Sequence, residues 1–266
     1  MPAETPEQET QEAQQYWGYL VKQDKCGTDL LNRLLRGIAN HISATVQPDE
    51  NCPDLTPSQL AEFYKSVGGD YDVLFIDTVP NSISFIYKSL GCVHSLHPPK
   101  GVDKYEDPSI PALKPQGFVT WQTIQLLLGP EEHVPFLQNA VKKFDITDPA
   151  NGKVFPKLLP PECLPTTPDE DMLTWYDSVS QRLQADAEAV DAEQSDRAQL
   201  GAPHYGHGLS PGPGPVGHLS RTESYASTDD DSRYAAAKYF SNPLYRSHGG
   251  RPTIIRRYSR DPPRSP

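Results

Sequence analysis

The sequence predicts a mainly α protein: one irregular single domain of about six helices, joined by long proline-rich connections and flanked by disordered ends. Three observations carry that expectation. Apolar residues recur at three- and four-residue intervals in several segments. The strongly apolar runs, such as VLFI (Val73 to Ile76) and IQLLL (Ile124 to Leu128), all lie before Leu183. The 28 prolines and the mean hydropathy of -0.60 then imply that part of the 266-residue chain does not fold. The expected organisation is a disordered acidic N-terminus at 1–13, a helical domain at 14–198 and a disordered basic tail, rich in Pro, Gly and Ser, at 199–266.

Taken in order, Tyr16, Trp17, Tyr19 and Leu20 are too apolar to stand in water and are expected to pack on the domain. The first helix is expected from Asp29 to Val46, with Leu31, Leu34, Leu35, Ile38 and Ile42 on one face and Thr28 as N-cap. LTPSQL opens the next: Thr56 caps, Pro57 takes the first turn, Gln59 closes a capping box and Gly68 with Gly69 ends the helix. A third fits Asn81 to Leu90, with Gly91 at its end. The loop from His94 to Pro115 holds five prolines and is expected to be irregular. Two helices follow, Trp121 to Leu128 and Pro130 to Phe144, parted at Gly129, with Pro135 expected to sit within the first turns of the second or to kink them. Glu131 and Glu132 at its start and Lys142 and Lys143 at its end match the backbone dipole. KVFPKLLPPECLP, with four prolines among apolar residues, reads as an extended strap buried over the core. The last helix is expected to start at TPDE, with Thr167 as cap and Glu170 closing a second box, and to fray in solvent towards Ala198.

Charge divides the chain. Residues 1–200 carry 15 Lys and Arg against 30 Asp and Glu, whereas residues 201–266 carry 9 against 5. An acidic body argues against DNA binding by the folded part, since phosphate contacts need concentrated cations. Cys26, Cys52, Cys92 and Cys163 are widely spaced in a domain large enough to do without staples, so reduced thiols are expected. The segment MPAETPEQETQEA lacks the charge and apolar stretch of a leader, and no run reaches the ~18 apolar residues of a membrane span. A cytoplasmic or nuclear location is the expectation.

The blocks YWGYL, KCGTDLLNRLLRGIA, LTPSQLAEFYKSVGGDYDVLF, SISFIYKSLGC, GFVTWQTIQLLLGPEEHVPFLQ, FPKLLPPECLP and WYDSV, in that order, resemble an uncharacterised fungal family, a domain of unknown function, from about Tyr16 to Leu183. The resemblance implies an intracellular fungal protein with a low-complexity tail. It carries over no activity, ligand or catalytic residue.

No GxxxxGK[ST], GxGxxG, GxSxG, HExxH or CxxC motif occurs, which removes the usual support for nucleotide, hydrolase, metalloprotease and redox chemistry. Cys92, His94 and His97 offer one thiol and two imidazoles, but a fourth zinc ligand is missing at ordinary spacing. Asp70, Asp72 and Asp77 suit turns and caps better than phosphoryl transfer, because no buried strand runs into them. QGFVT resembles the middle of a calcium-binding helix-loop-helix, yet Ala112, Lys114, Gln116 and Thr123 fall where ligands belong. No catalytic residue, metal or cofactor is assigned.

The tail is the most readable part. Arg256 and Arg257 precede Ser259, and Arg221 precedes Ser224, at spacings that basophilic kinases favour. Ser210 and Ser265 precede prolines, which suits proline-directed kinases. A phosphate there adds about -1.5 to -2 charge and creates a site for an arginine-rich phosphopeptide reader. The leading expectation is therefore a non-catalytic interaction or scaffold domain with a protein partner, tuned by tail phosphorylation. Two rivals stand beside it: an enzyme of unrecognised class, with groups such as His133, Glu132 or Asp72 meeting in one pocket, and weak RNA binding through the six arginines of residues 246–266.

Overall fold

In the computed structural model, which describes residues 6–48, 52–99 and 107–182, local signals place most helix starts. The chain is mainly helical. Helix α1 spans Pro6–Trp17, α2 Asp29–Thr45, α3 Pro57–Val67, α4 Asp72–Phe75 and α5 Pro80–Ser89. A hairpin follows, β1 His94–His97 and β2 Ile110–Leu113, then α6 Pro115–Leu128 and α7 Pro130–Lys143. A 3₁₀ turn at Pro161–Cys163 and a helix at residues 170–182, α8, complete the described residues.

The caps explain the boundaries. Thr28 accepts the Leu31 amide at the start of α2, and Thr56 and Gln59 form the reciprocal capping box of α3. Gly68, at φ 104°, ends α3 in a left-handed conformation that a side chain would strain. α7 keeps Pro135 inside it, where the side chain faces solvent.

α6 lies at the centre. Nine of its fourteen residues are buried, and it packs against α2, α7 and β2, so its apolar surface runs nearly all round rather than along one stripe. Its first turn presses on the segment before β1: a Cβ on Gly117 would stand 2.0 Å from the Val93 carbonyl oxygen. The strap runs over the core as expected, with Phe155, Leu159, Cys163 and Leu164 buried.

Four expectations are corrected. From Pro6 onward the N-terminal stretch 1–13 is helix rather than disorder, because Ala13 and Trp17, one turn apart, both bury against the domain. The proline-rich loop is not wholly irregular, since β1 pairs antiparallel with β2 in the register His94 to Leu113. The helix expected from Trp121 begins at Pro115, whose fixed φ suits a first turn. The last helix is capped by Asp169 rather than Thr167, for the Asp169 carboxylate accepts the Met172 amide at 3.0 Å. The expected end of that helix at 183–198, and Ser210, Ser224, Ser259 and Ser265, lie outside the described residues.

Candidate functional site

Three groups of polar side chains and one apolar strip are the candidates. The deepest is a line of hydrogen bonds joining α3, α6 and α7. Trp121 Nε1–H donates to Tyr64 Oη at 3.1 Å, and the Tyr64 hydroxyl donates to Gln122 Oε1 at 2.7 Å. Gln122 Nε2 lies 3.1 Å from His133 Nδ1 and donates to it, so the imidazole proton sits on Nε2 and points at Tyr71 Oη, 2.9 Å away. The Tyr71 hydroxyl is thereby free to donate to Glu132, and that bond pulls the carboxyl down against the larger effect of burial, which raises it. Burial lowers His133 to about 3, so the ring is neutral at ordinary pH. His133 is enclosed on all sides. A base that substrate cannot reach does no chemistry, and the line reads as a satisfied polar spine.

The structure thus brings His133 and Glu132 to one tyrosine hydroxyl. Asp72 stands apart, in an ion pair with Lys65.

The second group is on the hairpin. His94 Nδ1 donates to the Cys92 carbonyl at 3.1 Å, while its Nε2 accepts from the Ser84 hydroxyl at 2.7 Å. Cys92 is buried and its thiol is pushed up to about 12, which keeps it protonated. His97 lies three positions along the strand, on the opposite face from His94. The zinc idea therefore fails on geometry, and among the described residues no group of three His, Cys, Asp or Glu could hold a metal ion.

Asp54, Ser95 and His97 do meet, a juxtaposition the sequence concealed because Asp54 is 41 residues from Ser95. Ser95 donates to Asp54 at 2.5 Å and lies 2.9 Å from His97 Nε2. In a nucleophilic triad the imidazole bridges hydroxyl and carboxylate through its two nitrogens. Here the same nitrogen faces both, at 2.9 Å and 3.6 Å, and the hydroxyl proton goes to the carboxylate. The set clamps the hairpin to the segment before α3.

The third group borders a cleft of about 550 Å³ between Tyr19, Lys22, Leu127 and the start of α8. Lys25 crosses it to pair with Asp169 and Asp171. Burial works to raise Asp169, but the Lys25 partner and the α8 amides outweigh it and hold the carboxyl below its ordinary range. Lys25 and its two aspartates are thus spent on one another, while Lys22 and Glu170 also line the cleft. The calcium-loop likeness also dissolves, since Gln116, Gly117, Val119 and Thr123 lie within the unbroken α6.

The apolar strip is on and after α4. Val73, Ile76 and Val79 are 47 %, 54 % and 55 % exposed. The segment is locally tied: Asp70 accepts the Asp72 amide, the Asp77 amide bonds Asp72, and the Thr78 hydroxyl donates to the Val73 carbonyl. Leu74 and Phe75 anchor it by burying in the core. Asp70, Asp72 and Asp77 flank the three side chains in sequence, Glu132 adjoins through Tyr71, and Lys65 feels Asp72, Asp70 and Glu62. The strip thus carries three aspartates along its own stretch of chain, one of them paired with Lys65. The other exposed large apolar residues stand on the hairpin, at Val93 and Leu96, or around α1 and the strap.

A family model described as a domain of unknown function, DUF7514, matches residues 18–180, and the chain belongs to that family. No curated protein and no solved structure matches it. Among the described residues no helix is long and apolar enough to cross a membrane.

Proposed function

We propose that this member of the DUF7514 family is a non-catalytic interaction domain. Its docking face is the strip Val73, Ile76 and Val79, and its partner is a protein segment whose apolar side chains are flanked by arginine or lysine. The protein works inside a fungal cell, where kinases acting on Ser259, Ser224, Ser210 or Ser265 tune the partnership. The single observation that carries this reading is three half-exposed aliphatic side chains held on a tied loop, with Asp70, Asp72 and Asp77 beside them in the sequence. Water meets an apolar surface there that the fold itself does not use. Each side chain offers roughly 1 kcal/mol on full burial, which makes a weak, adjustable contact. The carboxylates add orientation and encounter rate rather than much affinity.

The enzyme reading has less support, because the titratable groups that converge are either enclosed, as His133 is, or already paired, as Lys25 and Asp169 are. The test is a peptide-display selection on the immobilised intact chain and on its Ile76→Asp variant. The expected outcome is enrichment of segments that mix aliphatic and basic residues, recovered about tenfold less well on the variant. Equal recovery on both, or no enrichment, refutes the reading.

A further inference from the structure

We infer that the acidic strip of α4 is occupied in cis by the segment Arg251 to Arg260 of the same chain, RPTIIRRYSR. The inference rests on the docking reading above and names its occupant. Strip and segment complement each other on two counts. The strip offers three aliphatic side chains, and the segment carries the adjacent pair Ile254 and Ile255. Beside the strip Asp70 and Asp77 supply the carboxylates that no ion pair among the described residues engages, since Asp72 is paired with Lys65 and Glu132 is raised by burial beside Tyr71. The segment supplies Arg251, Arg256, Arg257 and Arg260 and no acid. An aliphatic centre flanked by cations thus faces an aliphatic strip flanked by carboxylates, a match that a purely basic or purely apolar segment does not offer.

Reach permits it. Residues 183–250 separate the segment from residue 182, the last described residue of α8. A chain of about that length spans roughly 45 Å as a coil and about 100 Å as a helix. A domain with the radius of gyration of about 15 Å expected for this size is about 40 Å across, so either span reaches every face. Tethering also raises the local concentration of the segment to the order of millimolar, enough for a contact built from a few side chains. Ser259 lies inside the segment, two residues after Arg257, so a phosphate there would place its charge against the same carboxylates.

The experiment is hydrogen–deuterium exchange on the intact chain, read over residues 70–79, for the wild type and for an Ile254→Asp/Ile255→Asp variant. The variant changes no residue of the described domain, so its fold is not at stake. The expected result is exchange in 70–79 faster by about threefold or more in the variant, with the wild-type protection unchanged on tenfold dilution. Identical exchange in the two chains overturns the inference. Protection lost on dilution overturns it too, by assigning the contact to a second copy. Running the display selection on this tail variant keeps the two readings apart. Peptides that bind it while exchange is unaffected by the tail change leave the docking face standing without its cis occupant; failure of both removes the face itself.

Discussion

His133 shows how one enclosed side chain sets the pH response of a fold. Its ordinary value is 6.5 and burial lowers it to about 3 in the protein. Between those values the unfolded chain binds the extra proton and the folded chain does not, so stability rises with pH through the window and is lost as pH falls from about 6.5 towards 3. The slope is about 1.4 kcal/mol per pH unit for one group. Glu132, raised by burial, acts in the opposite sense but is common to both chains of the comparison. A His133→Gln variant keeps a donor and an acceptor on the line and loses the titration. Urea unfolding between pH 4 and 6.5 is expected to show a wild-type slope steeper than the variant's by about 1 kcal/mol per unit, and matching slopes would mean the ring is open to water. Little of this was legible in the sequence. Tyr71 and His133 are 62 residues apart, and no spacing rule links a tyrosine after a glycine pair to the fourth residue of a later helix.

At the scale of elements, what was legible was what is local. α3 follows from Thr56, Pro57 and Gln59 because a capping box closes within four residues. Gln59 does more than cap, since its Nε2 also donates to the Val46 carbonyl at 2.8 Å and its side chain is buried. Thr56→Ala is therefore expected to cost about 1 kcal/mol in urea unfolding and Gln59→Ala about twice that; an equal cost would mean the Val46 bond adds nothing. The start of α8 departs from the local cap signal because distant groups decide it. Lys25 fixes the Asp169 carboxylate and Leu127 accepts the Asp169 amide, so the helix begins at 170, beyond the Thr167 expected to cap it. The hairpin was hidden by its prolines. Leu113 exchanges both backbone bonds with Leu55, on the side away from β1, and Pro111, two residues earlier, turns its missing N–H to that same side. The proline thus sits where β1 asks nothing of it. Val73 to Ile76 divided between core and solvent for a related reason: a single turn of helix buries Leu74 and Phe75 and turns Val73 and Ile76 outwards. An apolar run in sequence carries no sign of which members will face water.

For the whole molecule, the ends of the domain close on each other. α1 is acidic and looks soluble by itself, but its Ala, Gln and Glu content favours helix and its one strongly apolar residue, Trp17, is buried. Trp17 stacks on Phe155 of the strap with centroids 5.6 Å apart, and its Nε1–H donates to the Leu158 carbonyl at 2.7 Å. Beside it the Leu20 amide bonds Cys163, and α2 fits against the chain after α7 so closely that a Cβ on Gly37 would stand 2.6 Å from the Thr147 carbonyl oxygen. The matched family region begins at residue 18, just past Trp17, yet the strap at its far end packs against that tryptophan. If α1 is an integral part of the fold, Trp17 and Phe155 must couple across 138 positions of chain. A double-mutant cycle tests this by urea unfolding. Trp17→Ala is expected to cost about 3 to 5 kcal/mol, and the pair with Phe155→Ala to depart from additivity by about 0.5 to 1.5 kcal/mol. Additivity within about 0.3 kcal/mol would mean that the strap holds its place without α1 and that the helix is an accessory to a core already complete.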